Sequence, residues 1–249
     1  MSNPVVLITG ALTGIGRATA FSYANEGAHV VVSGRNEDVG AELVRELRAT
    51  GAEAEFIRAD VRFEEDVKNL VDKTVARFGR LDIAVNNAGT EGVVGSAADV
   101  TVENYKSIFD TNVLGVLLSM KYEIRAMLPQ GKGSIVSISS AYGKIGGSTA
   151  AIYVGSKHAI EGITKSAAIE LAGTGVRVNI VGPGPIETGM FNRFAVTKEN
   201  KEAFLESQVP NKRIGTPDEI AHAIVFIASD KASYIIGASL AVDGGMIAG

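Results

Sequence analysis

Tyr153 and Lys157, in the run Tyr153-Val154-Gly155-Ser156-Lys157, are the residues of this 249-residue chain best suited to proton chemistry. Residues four apart share a helix face, so a helix here points both side chains the same way. A free tyrosine titrates near ~10 and is a poor base at neutral pH. An ammonium beside it stabilises the phenolate and draws that value toward the range that general acid–base catalysis requires. Ser140 lies 13 residues upstream, at the end of a β-branched run at 134–138, where its hydroxyl can bond a substrate oxygen and stabilise charge developing there. Taken alone, a tyrosine and a lysine at this spacing are more often a surface pair. A second motif shifts the balance toward chemistry.

That motif is Gly10-Ala11-Leu12-Thr13-Gly14-Ile15-Gly16, between an apolar run at 5–9 and a helical pattern. Gly10 permits a sharp turn out of a strand. Gly14 and Gly16 leave out side chains where phosphates and the helix approach the backbone closely. The N–H groups and positive end of the helix then face a pyrophosphate. The alternative is a glycine-rich turn with no ligand, which its position at the head of a strand–helix array disfavours.

The elements that must position these residues alternate along the whole chain. Near-continuous apolar runs at 5–9, 29–33, 54–57, 83–85, 134–138, 177–181 and 239–242 read as strands covered on both faces. Helical patterns fall at 14–27, 37–50, 64–79, 102–128, 151–173 and 217–228. This order implies an α/β fold: one Rossmann-like, doubly wound parallel sheet of about seven strands, helices on both faces, as a single domain over 1–249. The stretch 187–217 breaks the rhythm just beyond a strand's carboxyl end, and is read as a substrate lid.

Bulk properties narrow the function. The chain is 46% hydrophobic and 21% charged, with 29 glycines. A net charge of −4 gives no basic footprint for nucleic acid. Cysteine is absent and His29, His158 and His222 are scattered, so thiolate chemistry is excluded and no metal site is expected. No signal-peptide pattern or apolar run of about 18 residues occurs, so a cytoplasmic enzyme with no membrane partner is expected.

The glycine spacing resembles the Thr-Gly-x-x-x-Gly-x-Gly signature of the short-chain dehydrogenases/reductases, matched by Thr9 through Gly16. The resemblance extends along the chain: Asn86-Asn87-Ala88-Gly89 after the fourth strand, Asn112 in mid-helix, Ser140, the Tyr153/Lys157 pair, and Pro183-Gly184-Pro185-Ile186-Glu187-Thr188 after the sixth strand. It implies Tyr153 as acid/base, Lys157 as its tuner and nicotinamide-ribose ligand, Ser140 as substrate-orienting donor and Asn112 as support for a proton relay. Ser139 is chemically able, but the family spacing selects Ser140. Cofactor contacts are implied at Gly10, Thr13, Gly14, Ile15, Gly16, Asp60, Val61, Asn87, Ala88, Gly89, Tyr153, Lys157, Pro183, Gly184, Ile186 and Thr188. Asp60 could instead cap the helix that follows it.

In such a fold an acid at the end of the second strand bonds the ribose 2′-OH, and an arginine favours a 2′-phosphate. Here Gly34 stands at the acidic position and Arg35 follows, which argues for NADP(H) over NAD(H), unless Arg35 only faces water. The expected activity is hydride transfer between nicotinamide and a small ketone or secondary alcohol: an NADPH-preferring carbonyl reductase or alcohol dehydrogenase. Glu91, Val93, Tyr142, Ile145, Ile186, Met190, Phe191 and Phe194 are candidates for a partly apolar pocket. One family branch reduces 3-oxoacyl groups on acyl carrier protein by docking that carrier on arginines, and the matching stretches at 129–132 and 172–174 supply only Lys132. A nucleotide-binding regulator without chemistry is the other alternative. The apolar C-terminal strand and apolar residues on the long helices, such as Val113, Val116, Leu117, Ile160, Ile163 and Ile169, suggest a homo-oligomer, a tetramer as in many relatives.

Overall fold

Runs of β-branched residues become the strands of a single sheet. In the computed structural model, which describes residues 3–194 and 197–248, these are β1 Val5–Ile8, β2 His29–Gly34, β3 Ala54–Arg58, β4 Ile83–Asn86, β5 Gly133–Ile138, β6 Val176–Pro183 and β7 Ser239–Val242. All neighbours pair in parallel, in the order β3-β2-β1-β4-β5-β6-β7. Between them run α1 Gly14–Asn25, α2 Glu37–Ala49, α3 Glu64–Phe78, α4 Val102–Phe109, α5 Gly115–Met127, α6 Ala151–Glu170, α7 Gly189–Phe194, α8 Lys198–Gln208 and α9 Pro217–Ala228.

A parallel sheet needs cover on both faces, and alternate side chains along each strand provide it. Val6 and Ile8 of β1 join Val30, Val32, Val85, Val136 and Val181 in one core, packed by α1, α2 and α9. Leu7 points the other way and joins Val31, Ala84, Ile135 and Val178 beneath α3, α5 and α6. This is the doubly wound α/β architecture expected from the strand–helix alternation. Its strand order reverses between β1 and β4, the switch point where such sheets bind ligands.

The structure departs from the sequence reading in two places. The helix expected over 102–128 is two helices joined by a π-turn at Asp110–Leu114. The cause is Asn112, which is fully buried and ties this turn to its surroundings. Its Oδ1 accepts from Thr90 N at 2.8 Å, and its Nδ2 donates to Thr90 O at 2.9 Å and Ser156 Oγ at 3.0 Å. One extra residue in the turn swings the amide inward to make these bonds. The segment 187–217, for which no helix was expected, contains α7 and α8. Residues 195 and 196 within it lie outside the described residues, as do the chain ends at 1–2 and 249. No described helix is long and apolar enough to cross a membrane.

Candidate active site

The carboxyl ends of β1, β4, β5 and β6 converge. Thr9 stitches the first two: its Oγ1 accepts from the backbone N–H of Asn87 and Ala88, each at 3.2 Å. Asn87 returns the bond, donating from Nδ2 to the carbonyls of Thr9 and Gly10 at 3.1 and 2.9 Å. Gly10 and Gly14 take left-handed backbone, with φ of 63° and 54°. The closest approaches at the glycines are to the protein itself. A Cβ on Gly10 would lie 2.7 Å from Ala88 Cα, and one on Gly16 would lie 2.5 Å from both Asn87 Nδ2 and the Gly10 carbonyl oxygen.

The start of α1 suits an anion. Thr13 makes no side-chain cap bond and the first turn holds no acid, whereas α2 is capped by Asn36 and begins with Glu37 and Asp38. The uncapped N–H groups of α1 and its positive end are therefore available to a phosphate. Thr188, beyond β6, comes over this turn, with its Cγ2 3.0 Å from a Cβ built on Gly14. The glycine turn, the uncapped helix and Thr188 together fit a dinucleotide's pyrophosphate.

Tyr153 and Lys157 lie on one face of α6 and both are buried. The Lys157 Nζ is 5.6 Å from the Tyr153 ring centroid and donates to the Ile138 carbonyl at 2.9 Å. The expectation that the ammonium lowers the tyrosine is overridden by burial. Burial pushes Tyr153 up to about 12; a hydrogen bond with Ser140 pulls against this, and the charge of Glu91 adds to it. Burial also draws Lys157 down to about 8. Ser140 caps a short 3₁₀ turn, its Oγ accepting from Tyr142 N at 3.2 Å. Ser139 turns away, donating to the Lys157 carbonyl at 3.4 Å. Asn112 sits behind Gly89, where a Cβ would be 3.3 Å from Asn112 Oδ1 and 3.8 Å from Lys157 Nζ.

These groups border a cleft of about 340 Å³. It brings together Ile15, Asn87, Gly89, Ser140, Tyr153, Lys157, Pro183, Gly184, Ile186 and Thr188 of the expected site. Of the pocket candidates, Tyr142, Ile186, Met190, Phe191 and Phe194 line it. Glu91 and Val93 instead line a neighbouring cavity, and Ile145 lines neither. Sequence reading missed Ser148, Thr149, Asn200, Phe204 and Met246. The Thr197 cap, which accepts from Asn200 N, marks the start of α8 but carries no signal that Asn200 reaches the cleft. His158 is exposed on α6, bonded to the Val154 carbonyl. No group of three or more acids and histidines among the described residues is placed to hold a metal ion.

A sequence profile described as "Enoyl-(Acyl carrier protein) reductase" matches residues 10–247. Cyclohexanol dehydrogenase of Acinetobacter sp. (strain SE19) is 40% identical over 98% of this chain and 94% of its own. The 2,5-dichloro-2,5-cyclohexadiene-1,4-diol dehydrogenase of Sphingobium indicum (strain UT26) is 41% identical over 100% and 98%. A crystal structure of an actinorhodin polyketide ketoreductase variant with NADPH superposes with a TM-score of 0.94, at 36% identity over 98% and 97%. The chain belongs to the short-chain dehydrogenase/reductase family. It is therefore an NAD(P)-dependent oxidoreductase of alcohol and carbonyl groups.

Within this dehydrogenase/reductase the carboxyl end of β2 carries a packing reason for its glycine. A Cβ on Gly34 would lie 2.6 Å from Leu12 Cδ1, so Leu12 fills the space an acidic side chain would need. Arg35 is exposed at the strand end, and its charge reaches Asp60. Asp60 is buried, and its carboxylate is held by Arg62, whose Nε donates at 2.9 Å. It does not cap α3, whose first residue follows an uncapped Phe63. Val61 packs against α5, with its Cγ2 2.7 Å from a Cβ on Gly115.

Proposed function

We propose that this chain is an NADPH-preferring carbonyl reductase or alcohol dehydrogenase for small, largely apolar ketones and secondary alcohols, six-membered rings in particular. The observation that carries this is the cleft itself. Ile15 of the glycine turn, Tyr153 and Lys157 line it together, and Tyr142, Met190, Phe191, Phe194 and Phe204 add an aromatic and apolar wall. Such a wall favours a compact apolar substrate over a sugar. The names of two relatives, a cyclohexanol and a cyclohexadienediol dehydrogenase, support a ring substrate.

Bound NADP(H) would supply the hydride chemistry. Tyr153 gives its proton to the substrate oxygen in reduction and takes it back in oxidation, while Ser140 holds that oxygen. Lys157 holds the nicotinamide ribose and offsets the burial that keeps Tyr153 protonated. Asn112 fixes the backbone at Thr90 and supports proton relay. Gly10, Thr13, Gly14, Ile15 and Gly16 receive the pyrophosphate, with Thr188 and Ile186 closing over the nicotinamide half. Asn87, Ala88 and Gly89 border it, with Pro183 and Gly184. Arg35 takes the 2′-phosphate, and Asp60 and Val61 flank the adenine.

We place the enzyme in the cytoplasm as one catalytic domain, with 187–217 as its lid. A homotetramer is supported by exposed Val102 and Tyr105 on α4, Leu114 in the π-turn and Leu117 on α5, and by Tyr234, Ile236 and Leu240 near β7. Val116 and Ile160, counted earlier toward an interface, are core residues. The carrier-protein reading is disfavoured: 129–132 and 172–174 lie at the amino ends of β5 and β6, away from the cleft, and Lys132 pairs with Asp230 at 2.8 Å. A regulator without chemistry would not need all four catalytic positions. The test is oxidation of NADPH and NADH with cyclohexanone, aryl ketones, short linear ketones and an acetoacetyl thioester. Turnover led by the cyclic ketones supports the proposal; turnover led by the thioester overturns it.

A further inference from the structure

Glu91 takes no part in the proton transfer above, yet the fold buries it to 5% exposure just beyond β4. Its partner is Arg193 of α7, 102 residues away in sequence. The pairing is two-pronged: Arg193 Nε donates to Oε1, and the other prong reaches Oε2 at 3.2 Å. Arg193 itself is 65% exposed, so the bond runs from a buried acid out to a guanidinium facing water. None of α7's residues is buried, and this pair joins the helix to a buried acid of the body. The next residue, Phe194, sets its ring edge-on to Tyr153, with centroids 5.7 Å apart, and approaches Tyr142 at 6.4 Å. Glu91 also borders a cavity of about 270 Å³ that has Tyr153 and Thr149 in its wall, as the substrate cleft does.

We propose that the Glu91–Arg193 pair couples docking of α7 to the proton chemistry of Tyr153, so that the cleft becomes fully reactive only when its lid is seated. The inference rests on the reading of Tyr153 as acid/base. With α7 seated, Arg193 offsets part of the Glu91 charge that raises Tyr153, and Phe194 covers the tyrosine. With α7 displaced, Glu91 is an unpaired negative charge beside a group that must itself become negative in alcohol oxidation, and the phenolate is disfavoured. The other titratable groups facing Tyr153 are Lys157 from its own helix and Tyr142 from the turn after β5. Tyr142 meets α7 through the Phe194 ring, and Lys157 bonds the Ile138 carbonyl. Both positioning residues therefore act through Tyr153 and need no contact with substrate.

The experiment is the pH profile of kcat/KM for alcohol oxidation in Arg193→Met, Glu91→Gln, the double variant and Arg193→Lys. KM, kcat and proteolysis of the 187–217 segment are recorded alongside. Arg193→Met is expected to move the acidic limb up by roughly 0.5–1 pH unit, raise KM and speed cleavage within the segment. Glu91→Gln should move the limb down while also loosening the segment. The double variant should follow Glu91→Gln, because an arginine has nothing to neutralise once the carboxylate is gone. Arg193→Lys should restore part of the limb position. A limb that stays in place in all four variants, even with KM raised, would show that the pair only packs and would overturn the proposal. Tyr153→Phe run in parallel separates the two readings: retained turnover there undoes the assignment of the tyrosine itself.

Discussion

Glu123 offers a thermodynamic test of the buried face of the fold. This α5 residue is 1% exposed, and its carboxyl accepts from Asn86 Nδ2 at 2.9 Å. Burial pushes it up to about 8, against the pull of that hydrogen bond. The acid is thus protonated in the folded chain at neutral pH and ionised in the unfolded chain above about 4.3. Between those values the folded state holds one proton more, so stability is highest at low pH and falls as pH rises, by about 1.4 kcal/mol per unit. From pH 6 to pH 8 the loss is about 2–3 kcal/mol, which for a chain of this length lowers Tm by roughly 4–12 °C. Lys157 enters only at the upper edge of this window: its pKa is lowered to about 8, so from there to the ordinary lysine value the folded chain holds fewer protons and its contribution rises with pH. Glu123→Gln keeps the shape and the acceptor for Asn86 but cannot ionise. Urea unfolding of both proteins at pH 6, 7 and 8 should show a slope in the wild type that the variant lacks, with the variant the more stable at pH 8. Parallel curves would refute the assignment of a neutral buried carboxyl.

Gly16→Ala should lower dinucleotide affinity at least about tenfold and reduce Tm, because its Cβ meets Asn87 Nδ2 and the Gly10 carbonyl at 2.5 Å; calorimetric titration with NADPH that matches wild type would contradict this. Arg35→Ala should reduce kcat/KM for NADPH by about ten- to a hundredfold and leave NADH unchanged, as expected for a lost charge-assisted phosphate contact. Light scattering coupled to size exclusion should give a mass near four times 25.9 kDa; an active species at the chain mass would rule out the tetramer.

The strands were legible because residues such as Val30, Val31 and Val32 are apolar on both faces, which only a covered parallel strand requires. The glycine turn and the Tyr153/Lys157 pair were legible because their spacing is local and their geometry follows from one helix or one turn. The π-turn at Asp110–Leu114 was not, since it answers bonds to Thr90 and Ser156 that lie far away in sequence. The helices α7 and α8 are short and mostly exposed, so they show no apolar stripe from which a period could be read. Thr149, Phe204 and Met246 reach the cleft from three separate loops and helices, an arrangement set by tertiary packing alone. The balance at Tyr153 was misjudged for the same reason: spacing shows that a lysine is near, while burial, which outweighs it, depends on Phe194, Tyr142 and the rest of the wall.

The central claim is that Tyr153 carries the proton in a nicotinamide-dependent carbonyl reduction. Steady-state turnover of Tyr153→Phe, with NADPH and the best ketone of the panel, tests it most directly. The ring and its packing against Phe194 are kept, and only the hydroxyl is lost. The account predicts that kcat falls by about 10²–10⁴ while NADPH affinity is retained; turnover close to wild type, with cofactor bound, would contradict it.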